Sequence, residues 1–313
     1  MKLVNGVLLG DRSELETRGI VFPLRLLPAT EGRGDYLAEY EEFQAQARQR
    51  RGREIFVKAH LVSRFFDDLV HHEGLLDFVE AVLGPDIVLW ESDFFEKAPH
   101  TEKYVGWHQD TPYYNLSTER VLSVNLALTS SDRNNGCLKV VAGTHGRGTI
   151  GSIPGARDDI LGQLAQTDER DTPPDNMLRL GQALDFEITP SMEELVELRP
   201  GEASVHFSGL LHASGPNRSD RKRVCYVMRF ISGDTYCKSG KDSAMLVRGR
   251  VHHDRFELEP RPKASFDDEA LAALERAVSF PSGFADAGIK RRLETAAAET
   301  ATTATATAST TER

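Results

Sequence analysis

From residue 87 to residue 231, the chain contains short segments that are rich in β-branched and aromatic residues and are bounded by turn-forming residues. Segments of this length and composition are typical of β-strands. A series of such strands after a helical region favours a double-sheet jelly roll with a helical buttress. We therefore predict strands at residues 87–97, 121–129, 137–142, 195–199, 203–208 and 224–231.

The segment 121–129 alternates between apolar residues and small or polar residues. The apolar positions are Leu122, Val124, Leu126 and Leu128, and the positions between them are Ser123, Asn125 and Ala127. Because successive side chains of a strand point to opposite faces, we expect the apolar face to join the core and the other face to line a cavity. Asn125 is therefore a candidate contact for a small molecule.

Two helices are predicted before the strands. Residues 35–51 are predicted to form an exposed helix that ends at Gly52, and residues 61–83 carry apolar residues at helical spacing. Gly84 and Pro85 follow that second segment, as is common at the end of a helix.

We expect one domain followed by a tail. The segment at 150–190 is long, weakly periodic and rich in Gly, Pro and Asp, which favours an insert or lid over the barrel mouth. The Ala- and Thr-rich tail lacks the apolar residues that ordering requires. The expected parts are a single domain at 1–295, with a helical part at about 1–85, a jelly-roll core at about 86–260 and the insert at about 150–190, and a disordered tail at 296–313.

Charge and cysteine content exclude several classes of protein. The formal net charge is -10 at pH 7, so neither nucleic acid nor an anionic membrane is an expected partner. The apolar start of the chain is too short and interrupted for a signal peptide, and no segment approaches the roughly 20 apolar residues of a membrane span. An odd, sparse set of three cysteines argues against a disulfide framework and favours a reducing cytoplasm, so we expect a cytoplasmic protein. Because there is no CxxC pair, a thiolate zinc site is not expected.

A His-x-Asp pair occurs in the segment Gly106-Trp107-His108-Gln109-Asp110. On a strand, His108 and Asp110 would project to the same face, so both could bind one metal ion. The candidate third ligand is His212, in the segment LLHASGPNRSDRKR. Two imidazoles and one carboxylate form a facial triad that leaves three positions open on iron. A His-x-Asp pair alone is common by chance, so the prediction depends on the residues around His212.

The residues after His212 add a candidate carboxylate site. Arg223 follows eleven residues later on the next predicted strand, and Ser214 lies two residues after His212. A guanidinium and a hydroxyl suit a carboxylate, so the set could hold a dicarboxylate between the metal and the arginine. Alternatively, Arg223 could form a surface salt bridge. Position in the sequence alone does not decide whether Arg221 or Arg223 would bind the carboxylate.

Three stretches of the chain resemble the phytanoyl-CoA dioxygenase family of iron- and 2-oxoglutarate-dependent oxygenases. They are WHQDTPYY at 107–114, NNGCLKVVAGTHGRG at 134–148 and RPGEASVHFSGLLHASGPNRSDRKR at 199–223. Their order and spacing match the family as well as their composition, over roughly residues 85–260. The resemblance implies a mainly β, double-stranded β-helix core (a jelly roll, cupin-like), with iron(II), 2-oxoglutarate and dioxygen as cofactor and cosubstrates.

The resemblance also implies roles for individual residues. His108, Asp110 and His212 take the places of the metal ligands, and Arg223 with Ser214 takes that of the cosubstrate carboxylate site. Lys97 matches a lysine common near that pocket, and Asn125 is a further candidate contact there. Halogenating relatives lack the carboxylate ligand, so the presence of Asp110 favours hydroxylation over halogenation.

Other residues near the motifs have two interpretations. Trp107, Tyr113 and Tyr114 flank the metal-binding segment and could form a substrate wall or simply pack. Arg248 could bind an acidic substrate or form a salt bridge. We expect His206 to face the barrel interior or the opposite sheet as a hydrogen-bonded core residue.

Taken with the resemblance, the sequence indicates a dioxygenase that hydroxylates a small, polar metabolite in bacterial biosynthesis and releases succinate and carbon dioxide. One alternative is the same oxidative chemistry with another outcome, such as desaturation, cyclisation or oxidation of an alcohol carbon. Another is a jelly-roll module that binds a metal or ligand without redox chemistry. The sequence does not identify the substrate or the oligomeric state.

Overall fold

The computed structural model describes residues 2–4, 7–9, 12–27, 36–150, 174–178, 184 and 187–280. Its helices are α1 (Arg12–Arg18), α2 (Tyr36–Arg51), α3 (Arg64–Val70), α4 (Glu73–Leu83) and α5 (Asp268–Ser279). Its strands are β1 (Lys2–Val4), β2 (Val7–Leu9), β3 (Ile20–Arg25), β4 (Ile87–Lys97), β5 (Val105–His108), β6 (Leu122–Ala127), β7 (Leu138–Val141), β8 (Glu194–Val196), β9 (Glu202–Phe207), β10 (Leu211–Ser214), β11 (Arg223–Ser232), β12 (Asp242–Arg248) and β13 (Phe256–Leu258).

These strands form two sheets. Nine strands make the larger sheet, in the order β1-β2-β3-β9-β6-β11-β4-β12-β13, and four make the smaller sheet, in the order β5-β10-β7-β8. Side chains from both sheets line one cavity, so the two sheets enclose it between them. This is the double-sheet arrangement that the sequence predicts, and each predicted strand overlaps an observed one.

Strand β6 separates the core from the cavity. Its apolar side chains belong to the main hydrophobic cluster, in which the helices α2, α3, α4 and α5 also pack. Its opposite face carries Ser123 and Asn125, which line the cavity. The alternation predicted from the sequence is confirmed, and the cavity therefore lies on the side of the large sheet away from the helices.

The prediction of one helix over residues 61–83 is wrong, because the segment forms two. Ser63 accepts a hydrogen bond from the backbone N–H of Phe66 at the start of α3. His72 accepts one from Leu75 at the start of α4. A side-chain acceptor at a helix start satisfies backbone donors that the helix itself leaves free, so the second cap begins a new helix.

The N-terminal part is not purely helical, contrary to the prediction for residues 1–85. β3 lies in this part and pairs with β9, which places it in the large sheet. Pro23 interrupts the six residues of β3, and a proline within such a run weakens its strand signal, which explains the error. Most of the predicted insert at 150–190 and the whole predicted tail at 296–313 lie outside the described residues.

Among the described residues, none of the helices combines the length and the apolar character needed to cross a membrane. The three cysteines, Cys137, Cys225 and Cys237, are all buried free thiols.

Candidate metal centre and its cavity

His108 and His212 are brought together by strand pairing. β5 and β10 are adjacent and antiparallel in the small sheet, and these two residues are register partners. Their ring centroids lie 4.1 Å apart. Two residues more than 100 positions apart in sequence therefore share one edge of the cavity because their strands are hydrogen-bonded.

Asp110 joins this pair through a turn and not through strand alternation. β5 ends at His108, and Asp110 occupies a bend before a short 3-10 helix. Its backbone N–H donates to the carbonyl of Ser208 at 2.8 Å. The prediction that His108 and Asp110 lie on one strand is therefore wrong. Their side chains nevertheless lie close together, as predicted.

The three candidate ligand atoms are close enough to bind one ion. Asp110 Oδ1 lies 3.4 Å from His108 Nε2 and 3.9 Å from His212 Nε2. All three atoms lie within 4.8 Å of one another. Ligand atoms at right angles around a metal, each at about 2.1 Å from it, would be roughly 3 Å apart, so small movements would complete the set.

Both imidazoles present the correct nitrogen. Nδ1 of His108 lies 2.9 Å from the carbonyl oxygen of Gly106, and Nδ1 of His212 lies 2.9 Å from that of Leu210. A carbonyl only accepts hydrogen bonds, so Nδ1 carries the proton in each ring and Nε2 keeps its lone pair. Burial, and then the neighbouring His108, lower the pKa of His212 to about 3. The ring is therefore neutral near pH 7, as a metal ligand must be.

A hydrogen-bonded chain supports the carboxylate ligand. The hydroxyl of Tyr114 donates to Asp110 Oδ2 at 2.6 Å. Arg229 Nε donates to the Tyr114 oxygen at 2.5 Å, and the same guanidinium is paired with Asp93. Burial raises the pKa of Asp110, but His212, His108 and Arg229 outweigh this effect and hold it well below its usual range. Oδ1 thus faces the imidazoles as an anion.

The metal centre opens into a cavity of about 130 Å³, roughly ten times the room that one water molecule needs. Its walls combine the candidate ligands with apolar side chains and a few polar ones. Apart from His108, Asp110 and His212, the cavity is lined by Phe95, Val105, Tyr113, Ser123, Asn125, Leu138, Met177, Leu178, His206, Ala213, Ser214, Arg223, Cys225, Val227 and Arg229.

Arg223 lies in this cavity as a buried cation with an unfilled donor. Its side chain is 4% exposed, and one terminal nitrogen donates to the carbonyl of Gly136. Its Nε has no hydrogen-bond partner among the described residues. Because a buried charge is costly unless it is paired, the site fits an anionic ligand such as a carboxylate.

Gly136, in the NGCL segment, can bring its carbonyl oxygen against Arg223 because it has no side chain. Gly136 has a φ of +72°, and a Cβ there would lie 2.2 Å from the carbonyl oxygen of Gly215. Only glycine fits this approach without strain. The turn can therefore place its carbonyl against Arg223.

Arg221, the alternative to Arg223, points elsewhere. Its side chain is 62% exposed and pairs with Asp132 at 2.9 Å. Sequence spacing could not distinguish Arg221 from Arg223, but the structure does. Of these two arginines, only Arg223 lines the cavity.

Ser214, Lys97 and Asn125 lie around Arg223 and the metal centre in different ways. Ser214 and Asn125 line the cavity. Lys97 on β4 is the register partner of Arg223 on β11. The Nζ of Lys97 donates a hydrogen bond to Ser214 Oγ at 2.7 Å. Lys97 therefore orients the serine hydroxyl. Burial and the charge of Arg223 lower the pKa of Lys97 to about 6.

The four predicted substrate residues lie in different environments. Tyr113 lines the cavity, with its ring centroid 6.1 Å from that of His108. Tyr114 is buried against Asp110, as described above. Trp107 is half-buried under Lys139, whose Nζ lies 4.7 Å from the ring centroid, and it is not a lining residue.

Arg248, the fourth of these residues, is remote from the cavity. Its guanidinium pairs with Asp77 at 2.9 Å and with Glu80 at 2.6 Å, both on α4. This is the salt-bridge alternative of the sequence interpretation.

Several lining residues were not identified from sequence. His206 was expected to face the barrel interior or the opposite sheet as a hydrogen-bonded core residue; it lines the cavity, and its Nδ1 has no hydrogen-bond partner among the described residues. Burial lowers the pKa of His206 to about 4. Met177 and Leu178 reach the cavity from the end of the insert and had no recognisable signal.

The short described stretch 174–178 lies against the start of β5. Tyr104 exchanges backbone hydrogen bonds with it, donating to Asp175 at 2.9 Å and accepting from Met177 at 2.8 Å. The side-chain oxygen of Asn176 accepts from the N–H of Gly106 at 3.1 Å. These contacts fix the position of the apolar cavity wall relative to the metal-binding strand.

Comparisons with known proteins agree on the kind of protein that this chain resembles. The sequence profile described as phytanoyl-CoA dioxygenase (PhyH) matches residues 32–225. The chain is 26% identical over 196 residues to a probable alpha-ketoglutarate-dependent hypophosphite dioxygenase of Stutzerimonas stutzeri, which covers 61% of this chain and 63% of that protein. It is 27% identical over 164 residues to the ectoine dioxygenase of Streptomyces avermitilis, covering 51% and 53% respectively. The matched regions thus span less than two thirds of the length of these relatives.

Solved structures show the same fold. The non-heme monooxygenase ThoJ, in its apo form, superposes with a TM-score of 0.70 at 28% identity and covers 90% of this chain and 98% of its own. CytC3 with Fe(II) and alpha-ketoglutarate gives a TM-score of 0.55 at 16% identity, covering 81% and 92%. The predicted jelly-roll fold is thereby confirmed.

Proposed function

Because the chain belongs to the phytanoyl-CoA dioxygenase family, we propose that it is an iron(II)- and 2-oxoglutarate-dependent dioxygenase. In this proposal it hydroxylates a small, polar metabolite and releases succinate and carbon dioxide. The observation that carries the proposal is one cavity holding two imidazoles, a carboxylate and a buried guanidinium with an unfilled donor. The relatives named above as hypophosphite and ectoine dioxygenases support the reaction class.

His108, Asp110 and His212 would hold iron(II), and the remaining positions on the ion would take 2-oxoglutarate and dioxygen. Iron(II) with bound 2-oxoglutarate supplies the activation of dioxygen that oxidation of a C–H bond requires. The contribution of the protein is to fix the geometry of the reacting groups and to exclude water.

Arg223 and Ser214 would bind the distal carboxylate of 2-oxoglutarate. Arg223 supplies the charge, and Ser214 supplies a hydroxyl whose orientation Lys97 controls. Asn125, which also faces the cavity, is proposed as a further contact. A guanidinium paired with a carboxylate inside a cavity forms strong, charge-assisted hydrogen bonds.

A metal-binding module without redox chemistry is a weaker candidate. Such a module would have no use for a buried guanidinium in the same cavity as the metal ligands, and burying that charge is costly. The other oxidative outcomes (desaturation, cyclisation and oxidation of an alcohol carbon) use the same site, and the position of the substrate carbon would decide among them.

We further propose a cytoplasmic location, with which three free buried cysteines are compatible, and a single oxygenase domain over residues 1–295.

The test is an anaerobic titration of the protein with iron(II) and then 2-oxoglutarate. The proposal expects a weak visible charge-transfer band, followed by succinate release when oxygen is admitted. A protein that binds iron(II) but gives neither the band nor succinate would refute it.

A further inference from the structure

A row of polar side chains crosses the cavity face of the large sheet beside the metal centre. His206 on β9 is the register partner of Ser123 on β6, and Ser123 is the register partner of Arg229 on β11. All three residues line the cavity. Adjacent strands therefore place these side chains next to one another on one wall.

Two of these side chains have unfilled hydrogen-bonding capacity. Ser123 Oγ and His206 Nδ1 are buried and have no hydrogen-bond partner among the described residues. The residues themselves are 1% and 4% exposed. Buried polar groups in folded proteins almost always have a partner, so an unpaired hydroxyl beside an unpaired imidazole calls for a bound molecule.

This pair is displaced along the large sheet from Arg223, which is assigned to the proposed 2-oxoglutarate site. Arg223 and Arg229 lie six residues apart on the same face of β11, or about 20 Å along the strand. Ser123 is level with Arg229, and the His206 ring lies 5.2 Å from that of His212. With Arg223 assigned to the cosubstrate, Ser123 and His206 are left beside the metal for another ligand.

The charge of the pair's surroundings favours an uncharged ligand group. Ser123 offers a neutral hydroxyl. The guanidinium of Arg229 is already paired with Asp93 and donates to Tyr114, so its charge is offset within the protein. An incoming anion would find no unpaired cation here and would face the nearby carboxylate of Asp110.

We propose that Ser123 and His206 form a subsite for the organic substrate, which binds an uncharged oxygen, as in a hydroxyl or carbonyl group, beside the metal. This inference rests on the proposed function and names the chemical class that the substrate must carry. Hydrogen bonds from the two side chains would fix one end of the substrate while the carbon to be oxidised faces the metal.

Acetamide and acetate are matched probes, because they have nearly the same shape and differ in charge. Each probe is titrated into protein labelled with ¹⁵N-histidine. The protein is first loaded with zinc(II) and 2-oxoglutarate, so that the metal site and the carboxylate site at Arg223 are occupied. The imidazole signals of His206, assigned by their loss in His206→Phe, report binding. We expect acetamide to shift them saturably and Ser123→Ala to weaken its binding roughly fivefold.

Ser204→Ala is the matched control. Ser204 is also a buried serine on this part of the sheet whose hydroxyl has no partner among the described residues, but it does not line the cavity. Its variant should bind acetamide as the wild type does. The subsite is refuted if acetamide leaves the His206 signals unchanged, if both serine variants bind equally, or if acetate binds more tightly than acetamide in a Ser123-dependent manner.

The iron(II) and 2-oxoglutarate titration separates this inference from the proposed function. If the charge-transfer band forms and acetamide does not shift His206, only the subsite is wrong. If the band does not form, the proposed function fails and the assignment of a substrate subsite fails with it.

Discussion

The hydroxyl of Tyr114 donates a 2.6 Å hydrogen bond to Oδ2 of Asp110, while Oδ1 of the same carboxylate faces the two imidazoles. The tyrosine thus occupies one oxygen and leaves the other for a metal ion. Partners of this kind set the orientation of a ligand.

Tyr114→Phe removes this hydrogen bond while keeping the ring. We expect affinity for iron(II) to fall by about tenfold to a hundredfold, measured by competition with a chelator under anaerobic conditions. Tyr236→Phe, at a half-buried tyrosine that is not among the cavity-lining residues, is the control. Equal affinity in Tyr114→Phe and the wild type would show that the carboxylate is oriented without the tyrosine.

Asp110→Ala removes the only carboxylate of the candidate triad. We expect loss of tight iron(II) binding and loss of 2-oxoglutarate-dependent succinate release, because two imidazoles alone leave the ion weakly held. Asp220→Ala, at a highly exposed aspartate, should behave as the wild type. Full succinate release by Asp110→Ala at saturating iron would contradict the assigned ligand set.

Arg223→Ala removes the buried cation of the proposed cosubstrate site. We expect the dissociation constant of 2-oxoglutarate to rise at least about thirtyfold, equivalent to about 2 kcal/mol for a desolvated charge partner, with little change in iron affinity. The anaerobic charge-transfer titration measures both. Arg221→Ala is the matched control, since Arg221 is exposed and bound to Asp132. If Arg221→Ala had the larger effect, the two assignments would have to be exchanged.

Lys97 should make stability depend on pH. Its pKa in the folded protein is about 6, lowered from 10.5 by burial and then by Arg223. Between these values the unfolded chain binds more protons than the folded protein, so the free energy of unfolding rises with pH. Lys97→Met removes this contribution, which amounts to at most about 1.4 kcal/mol per pH unit.

Urea unfolding at several pH values between 6.5 and 9.5 tests this effect. The stability of the wild type relative to Lys97→Met should increase with pH. Lys222→Met, at a half-buried lysine that pairs with Glu96, serves as the control. A difference between the wild type and Lys97→Met that stays constant across the range would mean that Lys97 is protonated in the folded protein.

The sequence predicted the two longest strands, β4 and β11, and the regularly alternating β6, but it missed the seven-residue β12. β4 was predicted with the bounds Ile87–Lys97 that the structure has, and the two faces of β6 were assigned correctly. Strands of three or four residues carry few periodic positions, and of these only β7 and β8 were predicted. β10 (Leu211–Ser214), which positions His212, was not predicted as a strand, and only the surrounding motif indicated His212 as a ligand.

At the site, residue types were predictable but several placements were not. Asp110 meets His108 through a bend held by Ser208, a contact between distant parts of the chain that no local pattern encodes. The choice between Arg221 and Arg223 likewise depended on which one the sheet buries. The proposed role of His206 could not be predicted from the sequence either, because it depends on which buried polar atoms the neighbouring strands leave without a hydrogen-bond partner.

Residues 174–178 reach the cavity by hydrogen bonding to Tyr104 and Gly106, at the start of the strand that ends in His108. The apolar wall and the metal ligands therefore belong to separate stretches of chain that meet at one strand edge. Exchange of Met177 and Leu178 would reshape the space for a substrate while the imidazoles and carboxylate stay in place. Substitutions confined to this stretch would therefore change the shape of the cavity separately from the three candidate ligands.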